Sequence, residues 1–155
     1  MKNLVAYFSA SGVTKSVAQK LNEVVEGKLY EIIPETMYTE EDLNWMDKNS
    51  RSSIEMRDKS SRVNIKEKLD SISEYENIYI GFPVWWYTCP HIINTFLESF
   101  DFSNKNVRLF CTSGSTNGET VYKSLKDEYP YIKECKRFSS NVDIAEIKEW
   151  VQNGN

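Results

Sequence analysis

Four short runs of nearly uninterrupted apolar residues, Leu4–Phe8, Leu29–Ile33, Ile78–Phe82 and Val107–Cys111, alternate with segments whose apolar residues recur at helical spacing. Runs with no regular polar alternate suit strands covered on both faces, as in a parallel sheet. The alternation of the two patterns therefore predicts an α/β fold. Tyr131–Phe138, interrupted by Lys133, Glu134, Lys136 and Arg137, fits an edge strand better than a central one. Between the runs, Val17, Ala18, Leu21, Val24 and Val25 form one helical stripe, with Gly27 expected to cap its C-terminal end. Ile92, Ile93, Phe96, Leu97 and Phe100 repeat the pattern behind Pro90, which a first helical turn tolerates. Val121, Tyr122, Leu125 and Tyr129 continue it up to Pro130, and Ile144, Ile147 and Val151 form a last helix with Trp150 beside it. The middle is less regular. Glu40–Met46 reads as helix, and Asn49–Lys68, rich in Ser and mixed charge, reads as a long surface loop.

A chain of 155 residues fits a single domain spanning 1–155 and can build a core without disulfides or metal. Nineteen Lys and Arg against 23 Asp and Glu give a net charge of −4 with no basic stripe, which argues against nucleic-acid binding. No apolar run approaches the ~18 residues of a membrane span. The start, Met1–Phe8, has one positive charge and then a run of five apolar letters, Leu4–Phe8, too few for a signal sequence, so a cytoplasmic location is expected. Cys89, Cys111 and Cys135 form no C-x-x-C pair, which suits a reducing compartment, and a single histidine, His91, leaves no metal reading. His91 is expected at the surface or at an interface, outside any site.

Three clusters carry the chemistry. Ser9-Ala10-Ser11-Gly12-Val13-Thr14 links the first strand to the first helix. Such a turn gathers backbone N–H groups, hydroxyls and the positive end of a helix dipole around one point, which suits a phosphate. It equally suits an ordinary capped turn. The loops G-x-x-x-x-G-K-[ST] and G-x-G-x-x-G are both absent, and no Cys and Arg frame the turn as a phosphatase would need. It reads as a grip for a phosphoester, with no catalytic side chain. The second cluster, Gly81 to Pro90, places Trp85, Trp86 and Tyr87 in a loop after the third strand. Those rings suit a slot for a planar heteroaromatic ligand, a core plug or a protein-docking patch. The third, Thr112-Ser113-Gly114-Ser115-Thr116-Asn117-Gly118, is again small and polar at a strand's end. In a wound parallel sheet all three fall on the carboxyl rim, where ligands bind near the switch in winding direction.

These residues, Ser9–Thr14 followed by Ala18, Pro83-Val84-Trp85-Trp86 and Thr112-Ser113-Gly114, resemble the short-chain, single-domain flavodoxin family with a P-x-W-W loop. The resemblance spans about Lys2 to Val151 and is weakest over Thr36–Ser73. It implies a flavodoxin-like doubly wound α/β fold, a five-stranded parallel sheet in the order 2-1-3-4-5, and bound FMN. By motif position, Ser9, Ser11, Gly12, Val13 and Thr14 would hold the phosphate. Pro83, Val84, Trp85 and Trp86 would flank the isoalloxazine, and Thr112, Ser113, Gly114 and Gly118 would close its pyrimidine side. Val13 stands where many relatives have Asn, which removes one side-chain contact to the phosphate. Trp86 stands where electron-carrying relatives often have Gly, and a bulky residue there is expected to resist φ > 0, biasing the flavin toward two-electron chemistry.

The resemblance implies an electron carrier that takes electrons from a redox partner protein or NAD(P)H and passes them to an acceptor. The alternative within enzymes is an FMN-dependent NAD(P)H:quinone or small-aromatic oxidoreductase, with Trp86, Tyr87 and Tyr38 lining a substrate slot. An alternative of another class is a flavin-free domain that docks proteins on its Trp-rich rim. Monomer and homodimer are both compatible with the sequence.

Overall fold

In a parallel sheet each strand's neighbours must be fed from the same end, so every connection crosses a face of the sheet, and helices fill those crossings. The computed structural model describes residues 2–154 and follows that logic. In chain order the elements are β1 (Asn3–Tyr7), α1 (Val13–Val25), β2 (Lys28–Glu31), α2 (Arg51–Arg57), β3 (Asn77–Pro83), α3 (His91–Leu97), β4 (Asn106–Thr112), α4 (Gly118–Leu125), β5 (Ile132–Arg137) and α5 (Ile144–Asn153). All pairings between these five strands are parallel and the sheet order is β2-β1-β3-β4-β5. This is the wound α/β arrangement expected from the sequence. The winding reverses between β1 and β3, which opens a crevice at their carboxyl ends.

The side-chain period of two sends successive strand residues into two cores. Leu4, Ala6, Ile78, Ile80 and Leu109 face one with Ile92, Ile93 and Phe96 of α3, and Val121 and Leu125 of α4. Val5, Tyr7, Tyr79 and Phe110 face the other with Val17 and Leu21 of α1, and Ile147 and Trp150 of α5. Continuous apolar strands are needed because both sides are covered. Arg108 breaks that rule in β4 but is compensated: its guanidinium pairs with Glu134 at 2.8 Å, donates to the Trp150 and Val151 carbonyls, and lies 4.1 Å from the Trp150 ring. β5 lies at the sheet edge, as its interrupted pattern predicts.

Two expectations are corrected. The left-handed residue ending α1 is Glu26 (φ 51°), not Gly27. Gly27 is needed for close approach, since a Cβ there would come within 2.6 Å of the Asn3 carbonyl oxygen. In the middle, residues 40–46 form turns, whereas helix α2 falls inside the segment expected to be loop. Thr39 and Asp42 bond reciprocally and tighten the turns, while Ser50 caps α2 by accepting from the Ser53 N–H. The segment after α2 is not a free surface loop. Glu35 donates to Asn64 and Lys66 to Ile33 through the backbone, and Val63, Ile65, Ile72 and Tyr75 enter the core.

Candidate functional site

Gly12 is the N-cap of α1 with φ 95°, a left-handed conformation that favours glycine. The Ser9 hydroxyl accepts from the N–H groups of Gly12 and Lys15, both at 3.1 Å, so it shapes the turn from within. The backbone N–H groups of Ser11, Val13 and Thr14 have no partner among the described residues, as the first turn of a helix leaves them. A Cβ at Gly12 would meet nothing within 4 Å, so the N–H groups open onto free space. Ser11 and Val13 are exposed beside it. Thr14 differs from the expectation. Its side chain is buried and its hydroxyl bonds that of Thr112 at 2.8 Å, leaving only its N–H for an anion.

After β3 the chain makes a tight two-residue turn. The N–H groups of Trp85 and Thr88 each donate to the other's carbonyl at 3.0 Å, with Trp86 at φ 48° and Tyr87 at φ 67° between them. Both central residues are thus in the left-handed region, as in the type I′ turns that ordinarily select Asn-Gly. The expectation that Trp86 resists positive φ is overturned. The reciprocal bonds close a hairpin whose geometry demands it, at a strain of about 1–2 kcal/mol per residue. Trp86 and Tyr87 are held outward by that turn and remain exposed.

A slot of about 680 Å³ opens between this turn and the third cluster. Val84, Trp85 and Trp86 form one wall and Gly114, Ser115 and Thr116 the other. Trp85 is fixed edge-on by Phe8 (5.6 Å between centroids) and Tyr38 (5.3 Å). Tyr38 does not line the slot: it donates to Glu55 and sits beneath the Arg51 guanidinium at 3.8 Å. Burial, with the Glu55 carboxylate close by, pushes the Tyr38 phenol far above its ordinary pKa. Pro83 is half-buried at the end of β3, and the Val84 N–H donates to the Thr112 carbonyl, joining the second cluster to the third.

The third cluster is tied down by a residue that the sequence reading did not single out. Arg137 donates to the Ser113 carbonyl at 2.8 Å and to its hydroxyl at 3.0 Å, while the Ser113 hydroxyl donates to Thr116. Gly114 is left exposed on the slot wall. Gly118 does not line the slot. It is buried at the start of α4, where a Cβ would come within 2.1 Å of the Cys135 carbonyl oxygen, so its role is helix-to-strand packing.

Three further residues lining the slot come from the middle segment: Leu43, Trp45 and Ser52. Ser52 is the most informative. Its side chain is buried, and its hydroxyl has no partner among the described residues. An unpaired buried hydroxyl costs about 1–3 kcal/mol, and this one lines the slot, where a polar group of a ligand could satisfy it. No sequence signal pointed to it beyond the Ser-rich character of the segment.

His91 also departs from the expectation of a surface residue: it is 7% exposed and its Nδ1 lies 2.7 Å from the Ser61 hydroxyl. Cys89 and Cys111 are buried, and burial pushes the Cys89 thiol up to about 12, which removes it from nucleophilic chemistry at neutral pH. Among the described residues no group of His, Cys, Asp and Glu is placed to hold a metal ion, and no helix is long and apolar enough to cross a membrane.

The sequence model of the flavodoxin family matches residues 2–154. Among curated proteins none matches the chain. Of solved structures, a protein from Bacteroides uniformis described as a candidate flavoprotein is 46% identical, with a TM-score of 0.93 over 97% of each chain. A similarly described protein from Bacteroides eggerthii is 42% identical, with a TM-score of 0.94 over 98% of this chain and 96% of that one. A flavoprotein from Lactobacillus acidophilus, solved in complex with FMN, is 25% identical, with a TM-score of 0.68 over 97% of this chain and 98% of that one.

Proposed function

We propose that the chain, which belongs to the flavodoxin family, binds FMN at the carboxyl edge of its sheet and carries electrons with it. The observation that supports this most directly is the Thr14–Thr112 hydrogen bond, which ties an anion-ready helix start to an aromatic slot at the winding switch. The residues present fit the group. The free N–H groups of Ser11, Val13 and Thr14 would hold the phosphate, with Gly12 keeping the space above them clear. Val84, Trp85 and Trp86 would flank the ring from one side and Gly114 from the other, and the unpaired Ser52 hydroxyl offers a partner for a polar atom of the ligand.

FMN, when bound, takes up and releases electrons one or two at a time. The chain's share of the work is binding, orientation and exclusion of water. Trp85 is held rigid by Phe8 and Tyr38, so a ring stacked against it would lose little entropy in repositioning the wall. Arg137 fixes the opposite loop through Ser113. Exposed Trp45, Met46 and Tyr87 give the region around the slot an apolar surface that suits a docked redox partner. A second reading, reduction of small aromatic acceptors by NAD(P)H, is favoured by a further cavity on the other side of Trp86 and Tyr87.

Titration of FMN into flavin-free protein tests the proposal. Saturable one-to-one binding, with quenched tryptophan emission, is expected. Protein that remains colourless with excess FMN would favour the docking domain instead. Steady NAD(P)H oxidation with a quinone and no reductase would favour the enzyme over the carrier.

A further inference from the structure

The Trp86–Tyr87 turn is a partition. One side faces the slot described above; the other faces a second cavity of about 590 Å³, within the range of small-molecule sites. Its apolar walls come from Met56, Trp86, Tyr87 and Leu125. At its floor, Asn94 accepts from the Cys89 thiol and donates to Tyr129, so these polar groups are satisfied within the protein.

His91 is the exception. The Ser61 hydroxyl has one proton, and that proton goes to the Glu55 carbonyl at 2.8 Å. Ser61 can therefore only accept from His91, so Nδ1 carries the hydrogen of the neutral ring. With Nδ1 spoken for by Ser61, Nε2 is the ring's acceptor nitrogen, on a side chain that is 7% exposed and lines the cavity. Burial, then repulsion from Arg62, holds the imidazole below its ordinary pKa against the opposing pull of Glu55, Asp58 and the Ser61 backbone.

The lining is also cationic. Lys59 has no ion pair among the described residues, and Lys123 has only a loose, exposed contact with Glu119 at 3.8 Å, worth little in water. Arg62 is engaged by Glu98 through two bonds of 2.9 Å, and Glu128 is the one carboxylate on the lining. Two amines thus exceed one acid there, in a chain whose net charge is −4.

We infer that this second cavity binds a small aromatic anion carrying a hydroxyl, its ring against Trp86 and Tyr87, its hydroxyl donating to His91 Nε2 and its charge facing Lys59 and Lys123. The inference deepens the aromatic-acceptor reading, since such a ring would lie across one turn from the flavin slot, but its test does not depend on flavin.

Calorimetric titration of the protein with para-hydroxybenzoate, benzoate and para-hydroxybenzamide, with and without FMN, separates the contributions. Saturable binding of para-hydroxybenzoate is expected, about fivefold tighter than benzoate for the one hydrogen bond gained. In the Lys59→Gln/Lys123→Gln double variant the two acids should weaken by about tenfold while the neutral amide does not change. His91→Asn keeps a donor toward Ser61 but removes the second ring nitrogen, so the preference for the hydroxyl should vanish. Absence of saturable binding at millimolar ligand, or equal losses for acid and amide in the lysine variant, would overturn the inference. If His91→Asn does not fold, the exposed lysine variant decides alone. Binding of the phenol without binding of FMN would sink the functional proposal and leave this one standing; the reverse would do the opposite.

Discussion

Thr14 and Thr112, 98 residues apart, share a buried hydrogen bond of 2.8 Å between their hydroxyls. One starts the helix after β1 and the other ends β4, so the bond crosses β3 at the rim and fixes the two outer clusters relative to each other. Replacing either residue by Val keeps the shape and strands the remaining hydroxyl, at a cost of about 1–3 kcal/mol. Urea unfolding should show that loss for Thr14→Val and Thr112→Val singly and a smaller one for the pair. Strictly additive losses would mean the two hydroxyls do not depend on each other.

Gly12 combines a left-handed backbone with empty space where a Cβ would stand. Gly12→Ala therefore meets no clash in the protein, and its stability cost of about 1–2 kcal/mol comes from the backbone alone. A separate effect should fall on FMN, because the added methyl occupies the space beside the free N–H groups. Affinity should drop by about tenfold or more, equivalent to about 1.4 kcal/mol. Unchanged FMN affinity in a folded Gly12→Ala protein would remove this loop from the site.

Ser52 gives a prediction with opposite signs. Its buried hydroxyl is unpaired in the protein, so Ser52→Ala should leave the flavin-free chain as stable as before or more stable, by up to about 1–2 kcal/mol. If the hydroxyl is used by FMN, the same change should weaken binding by about fivefold. Thermal unfolding without ligand and an FMN titration check the two halves separately.

Much of this site was legible in the residues. β1, β3 and β4 announce themselves because they are covered on both faces, and the edge strand β5 because it is not. Helix α2 was hidden for a physical reason: the buried residues of its short span are Ser52 and Ser53, which carry no hydrophobic period. Gly118 shows the limit of pattern in the other direction. A small residue at a strand's end looks the same whether a ligand or, as here, the Cys135 carbonyl excludes its Cβ. The positive φ of Trp86 and Tyr87 has no sequence signature, because the reciprocal Trp85–Thr88 bonds impose it where Asn-Gly is absent. Arg137 lies 24 positions from Ser113, so its clamp on the third cluster emerges only once β4 and β5 are paired.

The turn strain can be measured. Tyr87 is 69% exposed and sits at φ 67°, so it pays for its conformation with little burial in return. Tyr87→Gly relieves about 1–2 kcal/mol of strain and adds about 0.5–1 kcal/mol of unfolded-state entropy. Unfolding midpoints should therefore stay level or rise slightly. A clear loss of stability would show that the phenol ring packs against the turn more firmly than its exposure implies.

His91 sets the pH response. Burial is the main reason its imidazolium is disfavoured in the fold, with Arg62 adding repulsion and Glu55 and Asp58 opposing it. Between the ordinary value of 6.5 and the lower folded one, the unfolded chain binds more protons than the folded chain. The contribution of His91 to stability is thus complete above 6.5 and is lost as the pH falls through the folded pKa. Because the chain has one histidine, its ring resonances can be followed by NMR without assignment ambiguity. The midpoint should lie below 6.5, and His91→Asn should flatten the acid side of the stability curve over the same interval. A midpoint above 6.5 would mean that the carboxylates outweigh burial, and would put a proton on the nitrogen that the second cavity needs bare.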